Sequence, residues 1–170
     1  MAGNTVSKWD RLGEFVAGLI KEKGVPGAAV GILHAGEVQT AGFGVTSVEN
    51  PLPVTPGTLF QIGSITKTFT ATAILRLVDQ GKLVLDAPVR KVVPEFRVAD
   101  EDASAHATVR HLLTHTGGWE GDFFEDTGAG DDALARYVGK MADLPQLAPL
   151  GTVFSYNNAG FSLASRVIEV

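Results

Sequence analysis

Ile65, Phe69, Ala73, Ile74, Leu77 and Val78 recur at helical spacing between Ser64 and Gln80, and Gly81 stands where such a helix should stop. This stripe commits the middle of the chain to one amphipathic helix with an apolar face to bury. The same stretch, FQIGSITKTFTATAIL, places Lys67 three residues after Ser64, in the helix's first turn. An amine brought towards a buried face is costly unless something uses it. The pair is therefore either surface decoration or a nucleophile beside its activator.

The segments around this helix divide the chain. Val6, Trp9, Leu12, Phe15, Val16, Leu19 and Ile20 predict a helix from Val6 to Lys23, stopped by Gly24 and Pro26. GAAVGILHAGEVQTAGFGV then reads as two strands around a turn at Ala35 and Gly36. ENPLPVTPGTLFQIG has no lasting period and reads as the loop that delivers the chain to Ser64. DAPVRKVVPEF predicts an ordered loop, and a short helix at Val109–Leu113 ends at THTGG. Glu120 to Asp132 is an acidic loop without Lys or Arg, after which Asp131 or Asp132 is placed to cap a helix reaching about Met141. GTVFSYNNAGFSLASRVIEV predicts an extended piece, a turn and a last helix whose apolar pattern runs to Val170.

With 170 residues, 45% of them hydrophobic, the chain is long enough to fold around a core. A net charge of −5 with no Lys/Arg cluster gives a nucleic-acid partner no electrostatic footprint. The absence of Cys removes disulfides, thiolate catalysis and Cys-ligated zinc together. MAGNTVSKWDRLGEF has neither the basic start nor the apolar run of a signal peptide, and no apolar run is long enough to span a membrane. The expectation is a soluble, cytoplasmic protein with no membrane partner.

On a helix, Ser64 and Lys67 project from one face about a turn apart and can touch. A serine hydroxyl needs a base to take its proton, and a lysine serves only where its surroundings favour the neutral amine. The helix N-terminus adds unpaired N–H groups that favour charge developing on a substrate carbonyl oxygen. The spacing alone is a weak signal; the second piece, SYNNAG, strengthens it. There Tyr156 and Asn158 stand two apart in a polar turn, a phenol able to relay a proton and an amide able to hold a carbonyl. A core tyrosine with a satisfied hydroxyl is the alternative for Tyr156.

LFQIGSITKTFTATAILRLVDQGKLVLDAPVRKVVPEF, TVRHLLTHTGG and GTVFSYNNAGFSLASRVIE together resemble the serine β-lactamase and penicillin-binding-protein superfamily, nearest its class C-like esterase and peptidase branch. The resemblance implies an α+β fold, an antiparallel sheet flanked by helices, with a helical subdomain carrying both motifs. It implies that Ser64 is the acylated nucleophile, Lys67 its base, Tyr156 the proton relay and Asn158 a contact to lysine and substrate, with Asn157 filling the variable middle position. It implies no cofactor and no metal, and a small-molecule acyl substrate: an ester, a β-lactam or a D-amino-acid peptide, the esterase and peptidase readings preferred.

Members of that superfamily carry a third motif, Lys or His, then a small residue, then Gly, on a strand well after the tyrosine motif. His115, Thr116 and Gly117 spell such a triplet but precede Tyr156, where the family has a structural turn. The resemblance therefore covers an N-terminal half: helix and hairpin in 1–50, the SxxK helix and helical subdomain in 51–170. The missing C-terminal half or another subunit is the expected partner, because a two-stranded hairpin is marginal alone. A noncatalytic module is the alternative.

Other readings are weaker. His111 and His115 are four apart, as zinc ligands can be, but no third ligand stands at a usual spacing. The acidic loop lacks the alternating ligands of an EF-hand and reads as a solvated rim, with Trp119, Phe123 and Phe124 as candidate pocket walls. GSITKT lacks the glycines of a phosphate-binding loop, which would replace Gln61 and Thr66, and Thr66 also excludes a GxSxG elbow.

Overall fold

The computed structural model describes residues 7–170, as two compact units that divide after Gln61. In the first, helix α1 (Lys8–Lys23) opens on a reciprocal cap: Ser7 Oγ accepts the Asp10 N–H while the Asp10 carboxylate accepts from Ser7. Gly24, at φ 65°, closes it. The expected first residue of this helix, Val6, lies outside the described residues. Strands β1 (Gly27–His34) and β2 (Glu37–Gly44) pair antiparallel, His34 opposite Glu37. That register leaves Ala35 and Gly36 as a two-residue turn, both at positive φ as a primed hairpin turn requires. Gly42 is obligatory, since a Cβ there would strike the Val54 carbonyl. Val54 is the one fully buried hydrophobic residue of this unit among the described residues.

The second unit holds the main core. Helix α2 (Thr66–Asp79) is entered through a 3-10 turn at Gly63–Ile65. Ser64 therefore lies just before the α-helix rather than in its first turn. Only Ile74 of the expected stripe is fully buried, with Leu77 and Val78 half-buried; Phe69 remains 65% exposed and Ile65 60%. After the helix, the expected loop DAPVRKVVPEF drives Val89, Val93 and Phe96 into the core around a single 3-10 turn at Val89–Lys91.

Helix α3 (Glu101–His106) has no counterpart in the sequence reading; it is capped by Asp100, whose carboxylate accepts the Ala103 N–H. Helix α4 (Val109–Leu113) stands where expected. Helix α5 (Ala133–Lys140) starts after Asp132, which caps by position only: its carboxylate pairs with Arg136 instead of a backbone N–H. Helix α6 (Asn158–Glu169) buries Ala159, Leu163, Ala164 and Val167 in the core that includes Ile74, Leu112 and Val138. Trp119 is 1% exposed and packs on Phe96 at 5.6 Å between ring centroids, so it belongs to the core and not to a pocket wall. The chain thus combines helices with an antiparallel two-stranded sheet, an α+β composition. No helix of the described residues is long and apolar enough to cross a membrane.

Neighbouring residues of α2 provide a test, because Ile74 is fully buried and Leu75 is 49% exposed. Ile74→Ala is expected to cost about 2–5 kcal/mol in denaturant unfolding, and Leu75→Ala about 0.5 kcal/mol. Equal costs would show that α2 does not pack on this face.

Candidate functional site

Both expected motifs converge in the second unit. The 3-10 turn presents Ser64 to solvent, and the first turn of α2 points Lys67 inward. Lys67 Nζ donates to Ser64 Oγ at 3.3 Å and to Asn158 Oδ1 at 2.7 Å, across 91 residues of chain. The ammonium also lies 4.8 Å from the Tyr156 ring centroid and 5.6 Å from that of Phe161. All four expected residues, Ser64, Lys67, Tyr156 and Asn158, are therefore brought together. The stronger donor contact of Lys67 is to the amide and not to the serine.

The turn carrying Tyr156 and Asn158 is held by groups that sequence reasoning missed. Asn157 is 2% exposed: its Oδ1 accepts the Gly160 N–H at 2.6 Å, capping α6, and its Nδ2 donates to the Trp119 carbonyl at 2.9 Å. In this chain the residue at the motif's middle position is a structural anchor. Gly121 lies flat against this turn; a Cβ there would come within 2.7 Å of Tyr156 O, and its carbonyl accepts the N–H groups of Asn158 and Ala159. Asp122 Oδ1 accepts from Asn158 Nδ2 at 3.1 Å. A carboxylate only accepts, so this bond turns the amide nitrogen towards Asp122 and leaves Asn158 Oδ1 for Lys67.

The two histidines are engaged separately. The His111 ring lies against Thr108 in the α4 cap, its Nδ1 accepting the Thr108 N–H at 3.2 Å. His115 Nδ1 accepts the Asn157 N–H at 3.0 Å. Within the acidic loop, Glu125 pairs with Lys140 and Asp126 accepts the Gly128 N–H. No group of three metal-ligating side chains forms among the described residues.

A groove of about 610 Å³ opens beside the serine, lined by Ser64, Lys67, Phe123, Phe124, Tyr137 and Asn158 among others. Phe123 and Phe124 thus stand on its wall, as expected of them. The two tyrosines differ in acidity. Lys67 first and Ser64 second, through their polar contacts, hold the Tyr156 phenol below the ordinary 10.0, with Asp122 opposing. Burial pushes Tyr137 above that value. Its hydroxyl donates to the Phe123 carbonyl at 2.6 Å.

The Beta-lactamase family profile matches residues 12–170, and the chain belongs to that family. It is 43% identical over 149 residues to penicillin-binding protein 4 of Amycolatopsis lactamdurans, covering 88% of this chain and 39% of that protein. It is 38% identical over 117 residues to esterase EstB of Burkholderia gladioli, covering 68% of this chain and 30% of the esterase. A solved class C beta-lactamase superposes with a TM-score of 0.79 at 28% identity, over 99% of this chain and 46% of that one. The fold is therefore the α+β, β-lactamase/transpeptidase-like one, and the chain spans less than half the length of each of these relatives.

The chain has only two tyrosines, which makes their titration readable by phenolate absorbance. Two steps are expected, the lower one from Tyr156 and lost in Tyr156→Phe. Loss of the upper step in that variant would show that Lys67 and Ser64 do not govern the phenol.

Proposed function

We propose that this chain carries the nucleophile side of a serine hydrolase site that works through an acyl-enzyme on Ser64. The observation that carries it is Lys67, bonded to both Ser64 Oγ and Asn158 Oδ1 beside the Tyr156 phenol. In its neutral form Lys67 takes the Ser64 proton as Oγ attacks the substrate carbonyl. The Ser64 N–H holds the oxyanion that forms. As the tetrahedral adduct collapses, Tyr156 delivers a proton to the departing group and the acyl–Ser64 ester remains. Water then attacks that ester, giving up its proton through the same groups, and Ser64 Oγ leaves with a proton restored. Asn158 holds Lys67 and touches the substrate. No step calls on a metal or cofactor.

One observation favours a second division of labour. Because Lys67 and Ser64 make the Tyr156 phenol more acidic, its phenolate can take the serine proton while Lys67 stays a cation. Tyr156→Phe would then abolish acylation, whereas a relay role leaves a slow residual rate.

The substrate is a small carboxylic ester, β-lactam or D-amino-acid peptide. The relatives include a penicillin-binding protein, an esterase and a class C beta-lactamase and support the serine hydrolase class; within it we prefer the esterase and peptidase branch, with the groove's aromatic wall beside the substrate. Residues 1–170 correspond in this reading to the N-terminal part of one β-lactamase-like domain, helix and hairpin first, helical subdomain second. No Lys or His, small residue, Gly triplet follows Asn158. The hairpin exposes Ile32, Leu33 and Val38, and α2 exposes Phe69, as surfaces awaiting further polypeptide would. A complete site thus takes its third motif from more of the domain or from a second subunit.

Intact mass after incubation with a fluorophosphonate or a penicillin is the test. One adduct is expected, absent from Ser64→Ala with an unchanged circular dichroism spectrum; an adduct that persists in Ser64→Ala rules out Ser64. A folded chain labelled only when the rest of the domain is supplied would assign the chemistry to both parts. Penicillin binding without acylation in that reconstituted protein would favour a noncatalytic binding module.

A further inference from the structure

His115 makes contacts that neither the serine nor the lysine explains. It sits at φ 57°, in the left-handed region that histidine, asparagine and aspartate enter more readily than other side chains. That backbone turns the ring under the Tyr156–Asn158 segment. There Nδ1 accepts the Asn157 N–H at 3.0 Å, and the ring stacks on Tyr156 with centroids 4.6 Å apart and planes inclined by 29°. Phe154 meets it edge-on and Phe161 packs at 5.0 Å, so aromatic groups close the ring in. The His115 carbonyl accepts the Ser155 N–H, a second tie to the same segment.

We infer that His115 is a positioning residue: its neutral ring, stacked on Tyr156 and accepting the Asn157 N–H, sets where the phenol stands relative to Ser64 and Lys67. This rests on the role proposed above for Tyr156. The neutral form is required because an Nδ1 that carries a proton donates and can no longer accept the Asn157 N–H. Protonation therefore breaks the bond and sets a second cation near the ring that Lys67 already faces. Lys67 on α2 and Tyr156 are the titratable groups that face His115; Phe154 and Phe161 carry no charge. Burial first, then the Lys67 charge, hold the imidazole below its ordinary 6.5, and an Nδ1 that accepts the Asn157 N–H favours the neutral ring as well. The ring is neutral at pH 7, and its grip on the segment is lost as pH falls through that lowered value.

Nuclear magnetic resonance of the full 170-residue chain tests this without any activity. The Asn157 amide and the Tyr156 ring resonances are expected to titrate together with the His115 imidazole, at one midpoint below 6.5. His115→Asn suits the left-handed backbone and supplies an amide oxygen in place of Nδ1; it should abolish that transition in both neighbours. His115→Phe keeps the stack without the acceptor and should displace the Asn157 amide at every pH. Should the phenylalanine variant fail to fold, the asparagine variant decides alone. Asn157 and Tyr156 resonances that ignore the His115 midpoint would overturn the proposal.

Adduct formation on Ser64 supplies the second readout. Its rate is expected to fall below the same midpoint, and this acid limb should vanish in His115→Asn. In His115→Phe the maximal acylation rate should fall about 10- to 100-fold, with the half-saturating probe concentration unchanged. Coupled resonances without any adduct would sink the acyl-transfer reading and leave the positioning intact; an adduct with uncoupled resonances would do the reverse.

Discussion

The bond from Lys67 to Asn158 is the tie on which the site depends. It joins the start of α2 to the start of α6 across 91 residues, so it exists only if the core beneath both helices has formed. Ile74 from α2 and Leu163, Ala164 and Val167 from α6 belong to that one core. Packing brings the two helix starts to hydrogen-bonding distance, and the polar contact then fixes which side chains meet. The order of causes matters: the apolar residues bring the two helix starts together, and the amine and the amide then fix which atoms meet.

A second set of constraints aims the turn before α6. Its backbone and Asn157 contact the Trp119 carbonyl, the His115 ring and the Gly121 carbonyl, all from the loop after α4. Trp119 is locked in the core by Phe96, which makes the loop a rigid support despite its lack of regular structure. Asp122 from the same loop sets the orientation of the Asn158 amide. The acidic stretch after THTGG therefore has two parts. Asp122 acts on the site, whereas Glu125, Asp126 and Asp132 satisfy Lys140, the Gly128 N–H and Arg136 at the rim.

What was legible in the sequence follows from how far apart the interacting residues lie. The hairpin, α2, α4 and α6 announce themselves through period and stop signals within a few residues, and Ser64 with Lys67 is a pair of that same local kind. Helix α3 is six residues long and contains two alanines, a serine and a histidine, so it shows no apolar stripe. Trp119 follows two glycines in a loop and reads as a surface aromatic; only the position of Phe96, 23 residues earlier, reveals it as core. His115 and Asn157 act through one backbone N–H over a separation of 42 residues. A contact to a main-chain group leaves no pattern of side-chain types to recognise, although serine, asparagine or aspartate before an apolar run is a cap signal, and Asn157 meets it.

The environment of Lys67 answers the question its place in the sequence raises. An amine drawn towards a buried face must have its donors satisfied, and here a serine oxygen and an amide oxygen accept them while two aromatic rings lie close by. Both bonded acceptors are neutral. A carboxylate in the place of Asn158 would bind the ammonium more tightly and favour its charged form, leaving the lysine a structural cation. Asp122 stands one residue further out and meets the amine only through the Asn158 amide. A neutral group thus stands between the amine and the carboxylate, the arrangement on which the proposed role of Lys67 as base to Ser64 depends. An acid in place of the amide would keep the tie between α2 and α6 but remove that neutrality, so the fold and the proposed function draw on the same bond through different properties of its acceptor.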